Sequence, residues 1–138
     1  MDDKYYLDTS IWMDLYEDRK GFNQEPLGEF ALKLFNLIKA KRNILVISDL
    51  LIKELEINYS TAEINGMINP FHNLIQKIFV STKQRNEAKM IAIERNIPKG
   101  DALHAIIARD NKLILITRDN HFKKTEDICK FYKPEDII

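Results

Sequence analysis

Among its 138 residues the sequence holds one cysteine, Cys129, so no internal disulfide framework is available and the fold has to rest on its core. No stretch approaches the roughly 20 consecutive apolar residues of a membrane span. Net charge is missing as well, because 21 Lys and Arg balance 21 Asp and Glu. That balance argues against a protein held to a nucleic-acid duplex mainly by phosphate contacts. It counts less against an enzyme whose bound cations meet phosphate directly. The three histidines stand in no metal-binding spacing such as H-E-x-x-H, so there is no zinc signal. Met1-Asp2-Asp3-Lys4 is acidic and runs straight into Tyr5-Tyr6-Leu7, without the basic and then apolar regions of a signal peptide. A cytoplasmic protein is the expectation.

What is present is an ordinary globular composition, 45% apolar and 30% charged. No repeat, low-complexity tract or break in composition marks a second domain, so residues 1–138 read as one. Periodicity then separates strands from helices. Residues 4–8 form a short β-prone run, and Thr9-Ser10 supplies cap residues for a helix through about Tyr16. After a loop containing Gly21 and Pro26, Leu27, Phe30, Ala31, Leu34 and Ile38 keep helical spacing as far as Lys41-Arg42. Residues 44–47 and 113–116 are unbroken aliphatic runs, the mark of strands buried on both faces of a parallel sheet.

Between those runs lie further signals. Ser48-Asp49 is placed to cap the helix that carries Leu50, Leu51, Glu54 and Leu55, with Asp49 read as the N-cap. Capping boxes at Ser60–Glu63 and Ser81–Gln84 open two more helices, the first interrupted at Asn69-Pro70. A third short strand is expected at residues 78–80, a helix at 101–109, and a fifth, edge strand near Phe131-Tyr132. Strands alternating with helices imply βαβ units and a parallel sheet covered on both faces.

In such a sheet, ligands bind outside the carboxyl ends of the strands. Asp8 ends the first strand, Asp119 lies three residues past the fourth, and Glu54 sits in the helix after the second. Asp101 opens the helix that feeds the fourth strand. Four carboxylates can therefore converge on one rim. Carboxylates that close repel one another and take up protons unless a cation is bound, and hard divalent cations take oxygen ligands. Thr9 and Ser10 can add a hydroxyl or backbone N–H beside Asp8. Each acid also has a plain role: Asp8 and Asp101 as helix-dipole partners, Asp119 as a turn former, Glu54 as a solvated side chain.

The set carries more than its members. Tyr6-Leu7-Asp8-Thr9-Ser10, Ile47-Ser48-Asp49-Leu50-Leu51-Ile52-Lys53-Glu54-Leu55, Gly100-Asp101-Ala102-Leu103-His104-Ala105 and Leu115-Ile116-Thr117-Arg118-Asp119-Asn120-His121-Phe122 together resemble the PIN domain, in particular its small stand-alone VapC-like toxin type. The resemblance implies a three-layer α/β/α sandwich with a five-stranded parallel sheet. It implies an endoribonuclease using Mg²⁺ or Mn²⁺, with Asp8, Glu54, Asp101 and, by a looser match, Asp119 as metal-binding and catalytic acids. Ser10 and Thr117 are the auxiliary hydroxyls, and Arg118 is a candidate contact to RNA phosphate. A homodimer and a small antitoxin partner are implied as well. The alternatives are a housekeeping RNA-processing PIN nuclease and a catalytically inert interaction module.

Other residues receive plainer readings. His104 is a packed residue near the site, His121 a loop residue at the rim, and His72 structural. Asp110 forms a surface ion pair beside Arg109, and Cys129 is a small apolar residue. Trp12 and Tyr16, four apart on the first helix, form either core or a dimer face. An aspartyl phosphatase would need an acid where Ser10 stands, and a receiver domain would need an acidic pair after its first strand.

Overall fold

The computed structural model describes residues 3–138. Its strands β1 (Lys4–Leu7), β2 (Ile44–Ser48), β3 (Ile75–Ile78), β4 (Ile114–Ile116) and β5 (Phe131–Tyr132) form one sheet in the order β3-β2-β1-β4-β5. Every pairing is parallel. Parallel neighbours need crossover connections. Helices α1 (Thr9–Glu17) and α2 (Leu27–Lys41) join β1 to β2, and α3 (Asp49–Glu56), α4 (Thr61–Ile68) and a 3₁₀ turn (Asn69–Leu74) lead on to β3. Helices α5 (Thr82–Arg95) and α6 (Lys99–Asn111) join β3 to β4. A 3₁₀ turn (Asn120–Thr125) precedes β5, and α7 (Pro134–Ile137) ends the chain. No helix among the described residues is long and apolar enough to cross a membrane.

The aliphatic runs divide their side chains between two cores, as the alternating pleat requires. Tyr5 and Leu7 of β1, Leu45 and Ile47 of β2 and Ile116 of β4 pack with Leu34, Phe35 and Ile38 of α2 and Leu51 and Leu55 of α3. Tyr6, Val46 and Leu115 face the other way, against Ala88 of α5 and Leu103, Ile106 and Ile107 of α6. The result is the three-layer α/β/α sandwich expected from the sequence. Trp12 is buried in the first core, its ring centroid 4.8 Å from Phe35 and 6.2 Å from Phe71. Tyr16, by contrast, is half-exposed and stacks edge-on against Tyr59. Of the two roles open to the Trp12–Tyr16 pair, Trp12 takes the core one.

Three local expectations need correction. Residues 78–80 are not the third strand: β3 is Ile75–Ile78, its register fixed by Leu45↔Ile75 through Ser48↔Ile78. Gln76 and Lys77 are exposed on this edge strand and break the apolar pattern, while Phe79 beyond it is exposed too. Ser48, not Asp49, caps α3, because Ser48 is the last extended residue and its Oγ accepts the Leu51 N–H at 3.1 Å. The Asp49 carboxylate accepts the Val80 N–H instead, at 2.9 Å. Asp8 lies one residue past β1, where it caps α1.

Strand order reverses between β1 and β4. The chain leaves β1 toward β2 and leaves β4 toward β5, so a crevice opens at their carboxyl ends. Helix α1 is held beside that crevice by Trp12. Truncating Phe35, fully buried against Trp12, should therefore cost about 3–5 kcal/mol in chemical denaturation. A loss below about 1 kcal/mol for Phe35→Ala would show that this aromatic contact does not anchor the helix.

Candidate active site

The site is built on the β1–β4 seam. The Asp8 backbone N–H donates to the Ile116 carbonyl at 3.0 Å, continuing the ladder one step past the strand. With φ −64° and ψ 160°, Asp8 is the N-cap of α1, and its Oδ1 accepts the Ser10 N–H at 2.7 Å. Its Oδ2 accepts the hydroxyl of Thr117, the residue just past β4. Thr117 is wholly buried, ties to β5 through its N–H to the Tyr132 carbonyl, and accepts the Asp119 N–H at 3.1 Å. One threonine thus links Asp8 to Asp119.

The other two acids arrive on helices. Glu54 extends from α3, and its Oε1 accepts the Thr9 hydroxyl and His104 Nε2, the latter at 2.7 Å. Asp101 sits in the first turn of α6. His121 Nδ1 lies 3.0 Å from both Asp101 Oδ2 and Asp119 Oδ1, and ligand atoms of these three residues fall within 4.8 Å of one another. Asp8, Thr9, Ser10, Glu54, Asp101 and Asp119 line a cleft of about 450 Å³, together with Met13, His104 and Arg118. Thr117 lies buried beneath its floor.

All four predicted carboxylates therefore face one space, and Ser10 joins them. Arg118 lines the cleft too, but its two terminal nitrogens donate to Glu135 at 2.8 and 2.7 Å and its Nε lies 3.7 Å from buried Asp14. His121 went unrecognised as a member of the acid cluster. Its only sequence signal is its place two residues after Asp119. The packed position expected of His104 is observed, but its bond to Glu54 joins residues 50 apart and has no local signal. Asp110 pairs with Arg109 at 2.9 Å, as expected.

Electrostatics sets Asp101 and Glu54 apart. Burial pushes Asp101 up to about 6, and the charges on Asp119 and Asp8 push the same way, against the hydrogen bond from His121. Burial also acts on Glu54, but the His104 hydrogen bond and charge and the Thr9 hydroxyl outweigh it, so Glu54 lies below its ordinary range. His104 moves oppositely, since its bond to Glu54 overcomes burial and raises it. Asp101 is thus a carboxyl short of positive charge. Ser10 Oγ, in the same cleft, is buried with no hydrogen-bond partner among the described residues. An oxygen-rich donor set, one under-compensated acid and one unpartnered hydroxyl fit a hard divalent cation, which Asp8, Glu54, Asp101 and Asp119 would hold.

A larger depression, about 660 Å³, lies at the other end of the sheet, between the end of α2 and the 3₁₀ turn before β3. Lys39 and Arg42 border it, and no carboxylate among the described residues does.

Residues 5–128 match the family model of the PIN domain, and the chain belongs to that family. Among solved structures it is similar to VapBC2 from Rickettsia felis, bound to a DNA fragment from its promoter: 20% identity over 94% of this chain and 98% of that one, TM-score 0.65. It is also similar to a toxin–antitoxin complex from Klebsiella pneumoniae, with 19% identity over 94% and 97% and TM-score 0.63. The protein PAE2754 from Pyrobaculum aerophilum aligns over 99% of this chain and 95% of its own, at 19% identity and TM-score 0.60. These likenesses establish the fold. No curated protein matches by sequence.

The raised Asp101 carboxyl has a measurable consequence. Half-protonated near pH 6 without metal, it must lose its proton to serve as a ligand, so cation affinity should rise as pH rises through about 6. Carboxyl ¹³C NMR of the metal-free chain should place its midpoint near that value, and saturating Mg²⁺ should move it down. A metal-free midpoint at or below about 4 would remove the basis for this expectation.

Proposed function

We propose that this PIN-domain chain is a Mg²⁺- or Mn²⁺-dependent endoribonuclease and the toxin of a toxin–antitoxin pair. The observation that carries the proposal is the gathering of four carboxylates in one cleft at the strand-order reversal. Family membership supports a nuclease, and the toxin–antitoxin complexes among the structural neighbours support the biological role.

Bound there, a divalent cation would lower the pKa of a water and stabilise charge on a phosphodiester. The protein's own groups set the stage. Asp8 is held from both sides, by the Ser10 N–H and by Thr117, so its carboxylate keeps one orientation. Asp119 is fixed through Thr117 and His121, and Glu54 through Thr9 and His104. Ser10 Oγ has no protein partner among the described residues and is placed to donate to a phosphate oxygen or to hold the attacking water. The cleft is open, as a polymeric substrate requires. Arg118 borders it and is the proposed phosphate contact, a role that would require its terminal nitrogens to leave Glu135. The chain is proposed to act in the cytoplasm as a homodimer, held inactive by a small antitoxin.

Asp8→Asn tests the assignment with little risk to the fold. The amide keeps an oxygen for the Ser10 N–H, and Thr117 can turn its hydroxyl to accept from the new NH₂. Cleavage of a mixed RNA pool with Mn²⁺ should fall by about 100-fold or more, with the circular-dichroism spectrum unchanged. Chelation with EDTA should abolish cleavage by the wild type. Undiminished cleavage by the Asn variant would sink the proposal, and calorimetry showing no Mn²⁺ binding by the wild type would favour the inert module.

A further inference from the structure

His104 is 2% exposed and hydrogen-bonded at both ring nitrogens. Its Nδ1 lies 2.7 Å from the Tyr6 hydroxyl and its Nε2 2.7 Å from Glu54 Oε1. The Tyr6 oxygen lies 2.7 Å from Ser48 Oγ, which accepts the Leu51 N–H at the start of α3. The donors can be assigned in sequence. A carboxylate has no proton to give, so His104 Nε2–H donates to Glu54. In the neutral ring Nδ1 is then an acceptor, Tyr6 donates to it, and Ser48 donates to Tyr6. Burial raises the Tyr6 hydroxyl well above its ordinary range and keeps it a donor. Every bond in the chain runs the same way, from the N-terminus of α3 through β2, β1 and α6 and back to Glu54 on α3.

The far end of the chain has a geometric effect. Glu54 Oε1 receives two donors, His104 and Thr9, whereas no donor among the described residues reaches Oε2. Space at Oε2 is kept by Gly100, where an added Cβ would stand 3.0 Å from that oxygen. Glutamate has three side-chain torsions, and an unrestrained one would present either oxygen to the cleft.

We propose that His104 is a positioning residue, set by Tyr6 and Ser48, that engages Glu54 Oε1 and leaves Oε2 as the oxygen offered to a bound cation. This rests on the metal-dependent nuclease reading above. The Nε2–H is present in both neutral and charged imidazole, so the role does not depend on the ring's titration. It is distinct from that of a core histidine that merely satisfies its own nitrogens, since such a residue would affect stability and leave cation affinity alone.

The experiment uses the full chain with Mn²⁺ alone as the probe. His104→Leu removes the donor, and His104→Gln restores an N–H near the place of Nε2. Calorimetry should show Mn²⁺ bound about 10-fold or more weakly by the Leu variant, and within about threefold of wild type by the Gln variant. RNA cleavage at subsaturating Mn²⁺ should follow the same order. A folded Leu variant with wild-type Mn²⁺ affinity would overturn the proposal. Should the Leu variant not fold, ring ¹⁵N NMR of metal-free wild type and Tyr6→Phe decides. The wild type should show a protonated, hydrogen-bonded Nε2, and Tyr6→Phe should shift the Nδ1 signal. A wild-type Nε2 without a proton, or no shift, would overturn it. A wild type that binds no Mn²⁺ would instead sink the nuclease reading, and the ¹⁵N result would still decide the hydrogen-bond chain.

Discussion

Asp8 accepts one hydrogen bond from the start of its own helix and another from Thr117 across the β1–β4 seam, and the rest of the site is arranged around that doubly held carboxylate. The seam is where the order of strands reverses, so the backbone there opens a crevice on its own account. Thr117 turns the crevice into a site. Buried between two strand ends, it fixes the distance between the first acid and the turn carrying the last. Had an apolar side chain stood at 117, Asp8 would lose an acceptor's partner and Asp119 its backbone tether, with both core faces intact.

Fixing acids close together costs free energy, and the protein meets that cost unevenly. Glu54 has an internal donor in His104, so its charge is stabilised within the fold. Asp101 has two acidic neighbours and a half-exposed histidine, and it holds its proton to about 6. The difference assigns different work to the two helices. On α3 the carboxylate already has its donors within the fold, while on α6 the carboxyl lacks compensating positive charge, which a bound cation would supply. Preorganisation at one ligand and an electrostatic deficit at another are both needed if a cation is to bind firmly and in one place.

Much of this was legible in the sequence because it is local. The aliphatic runs at 44–47 and 113–116 marked buried parallel strands, and the capping boxes at Ser60 and Ser81 marked helix starts, since these signals need only neighbours in the chain. Asp8, Glu54, Asp101 and Asp119 were legible as a set, through strand-end positions and family motifs. What stayed hidden is long-range or partnered. The β3 register depends on pairing with β2, and an edge strand with exposed Gln76 and Lys77 gives no apolar run to find. Asp49 has the residue type of a helix cap, yet a neighbouring serine capped α3 and a loop amide claimed the aspartate. Tyr6, Ser48 and His104 come from three elements, and nothing in the sequence shows that their hydrogen bonds join.

The charge balance noted in the composition acquires a spatial meaning in the fold. Arg19, Arg85, Arg95, Arg109 and Arg118 each stand within ion-pair distance of a carboxylate. Their guanidinium groups brace α1, α5, α6 and the C-terminal turn, and pairs of this kind add little field beyond their partners. Arg118 shows the consequence at the cleft itself, where Glu135 takes both of its terminal nitrogens. A polyanion approaching this rim meets acids whose charge is unbalanced and arginines whose charge is already matched. Without a cation such a rim would repel RNA. With divalent ions bound, as proposed, the same acids would become the means of holding positive charge beside a phosphate. On the proposed reading the balanced composition and the acidic cleft belong to one design, in which attraction for RNA would arrive with the metal.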